Sequence, residues 1–261
     1  MTAQAKTAQA KTAQADTVQA APAPSMDAGT LFDGLFPNGH AIARDGLFFS
    51  GTGTCGETTV AVIGSVDAAP IGVELAFRMA GAVLDVVRAH PGRPILLLVD
   101  TQGQRLSHRD ELLGINGYMA HLAKCLALAR ANGHPILGLV WSQAVSGGFL
   151  ASSLLADRCF ALKQAEVRVM NLPAMSRITK IPLERLEELS KTSPVFAPGV
   201  ENYWRMGAIE ALWDGADLAR ELASALSAHD TADLRRARGA ARGGRKLADE
   251  VSRRVRQDGA P

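Results

Sequence analysis

Apolar residues along this chain gather first into short unbroken runs. Thr58-Thr-Val-Ala-Val-Ile63, Ile95-Leu-Leu-Leu-Val99 and Ile136-Leu-Gly-Leu-Val-Trp141 are rich in branched side chains and show little polar alternation. Such runs predict strands, and the missing alternation predicts a sheet covered on both faces. Between them lie Val73 to His90 and His108 to Ala131, each long enough for a helix and spaced as crossover units. The order predicts an α/β fold with a parallel sheet and layered helices.

The second helical stretch is bounded by local chemistry. Ser107 stands three residues ahead of Asp110, an N-cap with an acid in the first turn; Asn132-Gly133 and Pro135 end the helix. Leu112, Ile115, Met119, Leu122, Leu126 and Ala129 recur at intervals of three and four, which predicts one core-facing stripe. His121 and Cys125 lie along its edge and are read as structural. Further on, Cys159 to Leu162, Glu166 to Met170 and Ala208 to Trp213 read as strands, and Leu183 to Leu189 and Val200 to Met206 as short helices.

Both ends of the chain depart from this pattern. Residues 1–26 hold three near-copies of a Thr-Ala-Gln-Ala-Lys pentapeptide and then Ala21-Pro-Ala-Pro24, a low-complexity leader with no apolar core of secretory type. The folded domain is placed at 27–228, and residues 229–261 form an Arg-rich tail, helical or disordered. The net charge of +2 hides this division. Arg235 to Arg256 alone carries eight Arg and one Lys against two acids, or +7, which leaves −5 for the rest. With no aromatic residue in that tail for base stacking, nucleic acid is not an expected partner; a solvated helix or an acidic partner is.

The 261 residues suffice for one large domain. Three widely spaced cysteines without a Cys-x-x-Cys pair fit a reducing, cytoplasmic setting. No apolar run approaches the roughly 20 residues of a membrane span. Six histidines include no His-x-x-His or His-x-x-x-His pair, so no metal site is expected.

Candidate chemistry concentrates in Trp141-Ser-Gln-Ala-Val-Ser-Gly-Gly-Phe149, where a strand passes through small and polar residues into a helix starting near Gly147. Adjacent glycines let a ligand approach the backbone, and first-turn amides lack internal acceptors at the positive end of the helix dipole. Such amides can hold an oxyanion. A Gly-Gly helix start equally serves to pack a helix on a sheet, and the spacing alone leaves both readings open. Val145-Ser146-Gly147 is not a Gly-x-Ser-x-Gly nucleophile elbow.

This turn, together with Asp100-Thr101-Gln102-Gly103 after a buried strand, the long helix, and Ala69-Pro70-Ile71-Gly72, resembles the crotonase-type acyl-CoA carboxyltransferases over roughly Leu47 to Asp214. The likeness is strongest to malonate decarboxylase gamma subunits, which are similar to the alpha carboxyltransferase half of bacterial acetyl-CoA carboxylase. It implies a crotonase spiral of ββα units and a heterodimer with a beta subunit of related fold, the active site lying at their interface. The implied substrate is a malonyl thioester on the phosphopantetheine-type group of an acyl carrier protein, supplied by an acyl transferase subunit and converted to acetyl thioester and carbon dioxide. No cofactor is implied on this chain itself. Where acetyl-CoA carboxylase relatives have Gly-Glu-Gly-Gly, this chain has Trp141-Ser142-Gln143-Ala144-Val145, which argues against carboxybiotin docking at the turn. The alternatives are a biotin-dependent carboxyltransferase subunit and a noncatalytic scaffold.

The site expected from these residues has Gly147 and Gly148 as oxyanion donors. Gln143 and Ser146 either bond the thioester or satisfy their own turn. Gly72 offers a further amide or is a loop glycine, and Asn171 faces the site or forms a turn. Neither Asp157 nor Glu166 is given a catalytic role.

Overall fold

A computed structural model describes residues 26–191, 199–230, 232–241 and 247–258. The expected leader lies outside them apart from Met26, which packs against the core.

The first half comprises α1 (Ala28–Leu35), β1 (His40–Asp45), β2 (Phe48–Cys55), β3 (Thr58–Ser65), β4 (Pro70–Ile71), α2 (Val73–Ala89), β5 (Ile95–Thr101), β6 (Gly103–Gln104), α3 (His108–Leu112) and α4 (Ile115–Ala131). The second comprises β7 (Ile136–Val145), α5 (Ser146–Leu150), β8 (Arg158–Leu162), β9 (Glu166–Arg168), α6 (Leu172–Thr179), α7 (Leu183–Ser190), α8 (Val200–Arg205), β10 (Ala211–Trp213), α9 (Leu218–Ser227), α10 (Arg235–Ala241) and α11 (Ala248–Asp258).

Strands β1-β2-β3-β5-β7-β8-β10 form the main sheet, with β9 paired to the far end of β7, and β4-β6 form a small second sheet. From β3 to β10 the pairings are parallel, as the unbroken apolar runs predict. Both faces are covered. Val62, Leu96, Leu98, Leu137 and Leu139 point into one core with α1 and α9, while Ala61, Ile63, Ile95, Leu97 and Ile136 point into the other with α2 and α4. That two-sided burial is why alternate positions in these strands are all apolar.

Three expectations are corrected. The sheet is mixed, because β1 and β2 run antiparallel at its edge. The stretch His108 to Ala131 is two helices, broken where Gly114 takes φ 74, a left-handed turn that glycine adopts without side-chain cost. Leu112, assigned to the buried stripe, is therefore 75% exposed, whereas Ile115 to Ala129 do line the core. Strand β9 ends at Arg168, and the chain then forms helix α6, which the sequence pattern did not indicate. Beyond α9 lie α10 and α11; Leu247, Val251 and Val255 are all more than half exposed.

Candidate functional site

The β4-β6 ladder lies beside the start of α5, and this juxtaposition defines the site. β7 ends at Val145, and α5 begins at once because Ser146 takes φ 49, a conformation rare for a residue with a Cβ. The turn leaves the first amides of α5 without an intrahelical acceptor. Gly147 is partly exposed and Gly148 buried. A Cβ at Gly148 would stand 2.8 Å from Thr101 Oγ1 and 3.1 Å from the Gly103 backbone. The position thus brings α5 against β5 and β6 at backbone contact. Gly103, at φ 104, faces the Val145 carbonyl in turn. At Gly147 the nearest group would be Gln104 Oε1, 3.4 Å away on a flexible side chain.

Thr101 closes the floor. Its hydroxyl donates to the Ala69 carbonyl at 2.6 Å and accepts from the Gly103 N–H at 2.9 Å, so one buried side chain ties β5, the β3–β4 loop and β6 together.

Of the residues expected to contribute, Ser146, Gly147 and Gly148 meet at this turn, and Gly72 lies across the β4-β6 ladder from them, next to Ile71, whose ladder partner is Gln104. Gly72 precedes α2 with no side chain because the Arg105 guanidinium occupies the space: a Cβ would fall 2.5 Å from Nε. Arg105 bonds Asp110 at 2.9 Å and Glu74 at 2.8 Å. Its charge holds the buried Asp110 carboxyl below the usual carboxylate range, helped by a backbone amide from Val73.

Gln143 belongs to a neighbouring cleft of about 530 Å³, lined by Arg44, Asp67, Asp100, Trp141, Ser142 and Gln143. Asp100 is its one buried acid, 4% exposed, and burial pushes its carboxyl above the usual range. Asn171 begins α6: its Oδ1 accepts from Ala174 N–H at 2.8 Å and caps that helix.

Asp100, Gln104 and Arg105 are site-shaping residues that sequence reasoning did not single out. An acid closing an otherwise apolar buried strand is the signal that points to Asp100.

His121 and Cys125 approach to 3.7 Å beside α2, and burial raises the thiol, the opposite of an activated thiolate. Among the described residues, no three His, Cys, Asp or Glu side chains are gathered as metal ligands, and no helix is long and apolar enough to cross a membrane.

The turn, the small β4-β6 ladder and the helix-covered, mostly parallel sheet define a crotonase-type carboxyltransferase fold. Transcarboxylase 12S shares it at 19% identity and a TM-score of 0.66, over 78% of this chain and 41% of that one. A Pseudomonas malonate decarboxylase hetero-tetramer in complex with coenzyme A gives a TM-score of 0.75 and 26% identity over 88% of this chain and 98% of its own. The Pseudomonas MdcD-MdcE hetero-dimer gives 0.71 and 25% over the same shares.

In sequence, the malonyl-S-ACP:biotin-protein carboxyltransferase MADD of Malonomonas rubra is 38% identical over 202 residues, 69% of each chain. The malonate decarboxylase gamma subunit family matches residues 66–259, and this chain belongs to that family.

Proposed function

We propose that this chain is the gamma subunit of a biotin-independent malonate decarboxylase, a cytoplasmic carboxy-lyase acting with a beta subunit on malonyl thioester carried by an acyl carrier protein. The carrier's phosphopantetheine-type arm brings the substrate, an acyl transferase subunit loads it, and no cofactor resides on this chain. The observation carrying this reading is the Ser146 turn at φ 49, which starts α5 with first-turn amides that lack an intrahelical acceptor beside the β4-β6 ladder.

Cleavage of the bond between the carboxylate carbon and the methylene releases carbon dioxide and leaves its electron pair in an enolate. The enolate's charge rests on the thioester oxygen, and a proton then gives the acetyl thioester. Amides of Gly147 and Gly148 held toward that oxygen stabilise the charge more in the transition state than in the substrate. The Ser146 hydroxyl bonds the departing carboxylate or the thioester, and Gln143 orients the thioester from the cleft side. Gly72 and Asn171 serve the site indirectly, one by admitting Arg105 and the other by capping α6.

The 38% identical relative named as a biotin-protein carboxyltransferase supports a second reading. Both readings begin with the same bond cleavage, and they part at the fate of the carboxyl group. Release of labelled carbon dioxide from malonyl carrier protein by the purified complex, assayed with and without avidin, separates them. Direct decarboxylation is expected to be indifferent to avidin; loss of turnover when biotin is sequestered would replace it with carboxyl transfer.

A further inference from the structure

We propose that Asp100 is the positioning residue of this site, its carboxylate fastening the β3–β4 loop to the β7 turn so that the backbone segments on either side of the bound thioester keep their separation. The inference rests on the decarboxylation reading for its catalytic consequence, although the fastening itself is a property of the fold.

Asp100 Oδ2 accepts the Ala68 N–H at 2.8 Å, Oδ1 accepts the Gln143 N–H at 3.4 Å, and the Ser142 hydroxyl donates to the same carboxylate. Among the described residues its side-chain partners are these two amides and one hydroxyl, with no cation. A charge buried without a counter-charge is unfavourable, and burial accordingly moves this carboxyl upward. An apolar residue would avoid that cost but would leave the two amides without their acceptor.

The loop needs such an acceptor. Asp67 at φ 59 and Ala68 at φ 50 are consecutive left-handed residues with side chains. They are fixed from several directions: Arg44 pairs with Asp67, the Asp100 carbonyl accepts both Ala69 N–H at 3.1 Å and Ser65 Oγ–H at 2.8 Å, and Gln102 N–H donates to the Ala68 carbonyl at 3.3 Å. Ala69 leads directly into β4, and Gln143 leads through Val145 into Ser146. The clamp therefore acts at the root of both segments that flank β6. The charged groups around Asp100 are Asp67 from the loop, which raises its pKa, Arg44 from β1, which is engaged by Asp67, and Asp27 at the start of α1.

Asp100→Asn tests this in the complex with its partner subunits. The amide group of asparagine has one oxygen to accept with and turns two hydrogens toward a second donor. Hydrogen exchange of the segments 66–71 and 142–147 is expected to speed up while β3 and the first residues of β5 keep their protection. With malonyl carrier protein, kcat is expected to fall about 100-fold, the effect of a displacement near 1 Å at reacting groups, with KM nearly unchanged. In the wild type, protonation turns one carboxyl oxygen into a donor, so kcat is expected to fall as pH drops through the raised pKa of Asp100; Asp100→Asn should lack that limb. Ser142→Ala removes one donor to the same carboxylate without touching the core, and covers the case in which the first variant does not fold. Unchanged exchange in both segments, in either variant that folds, would overturn the clamp. Faster exchange with unchanged kcat would overturn its positioning role. Failure of the decarboxylation reading is distinguishable, because it would appear in the wild-type complex as no carbon dioxide from malonyl thioester.

Discussion

Asp100 and Asp110 close the two ends of one short segment and both are buried, yet the protein shifts their protons in opposite directions. Asp110 faces the guanidinium of Arg105 and gains from being charged. Asp100 faces two amides and a hydroxyl but no cation, and burial, with the like charge of Asp67, works against its charge. The Asp110 end is an ordinary stabilising device that locks α3 to the start of α2. The Asp100 end spends stability to hold a strained loop, and such strain concentrates where a reaction requires fixed geometry.

The largest effect should come from the floor that Asp100 shares with Thr101. Thr101→Val keeps the shape but strips the Ala69 carbonyl and the Gly103 N–H of their buried partner, and a loss of about 2–4 kcal/mol is expected in urea denaturation. A loss under 1 kcal/mol would mean that this end is not tightly tied.

Asp110→Asn should cost less, about 1–2 kcal/mol, since Arg105 is partly solvated and retains Glu74. The pH dependence sharpens the contrast. Because the folded pKa of Asp110 lies below its ordinary value of 3.8, its contribution is present above that value and is lost as pH falls through the folded one. Asp100, with a raised folded pKa, destabilises the fold fully above that pKa, and the penalty shrinks as pH falls from there to the ordinary value of 3.8. Acid titration of stability for the wild type and Asp110→Asn should therefore converge at low pH; parallel curves would refute the pairing. Smallest of all is Glu74→Gln, which weakens an exposed contact to Arg105 and Arg109 and should leave the urea denaturation midpoint unchanged.

Legibility followed the same physics. β3, β5 and β7 stood out because both faces of each are buried, which removes polar residues from the pattern. β1 escaped notice since all its residues are exposed except the half-buried Ile42, so no apolar run marks it. The α3–α4 break was hidden because apolar spacing runs through Leu112 into Ile115 although Gly114, in a left-handed conformation, interrupts the helix between them. At the site, Gly147 and Gly148 were visible as adjacent glycines after a strand. The role of Asp100 was not, because its acceptor bonds go to backbone amides at Ala68 and Gln143, whose residue types carry no trace of the contact. Gly72 was readable as special but not for its cause, the guanidinium of Arg105 just after β6.

The central claim is that backbone amides of the Ser146 turn stabilise the enolate. Side-chain substitution at Gly148 cannot test it cleanly, because any Cβ there strikes Thr101 and Gly103. Exchanging the amide N–H of Gly147 or Gly148 for an ester oxygen by incorporating glycolate removes the donor and keeps the shape. In the assembled complex, kcat for malonyl carrier protein is expected to fall about 100- to 1000-fold for at least one of the two positions. Undiminished kcat at both would contradict the claim.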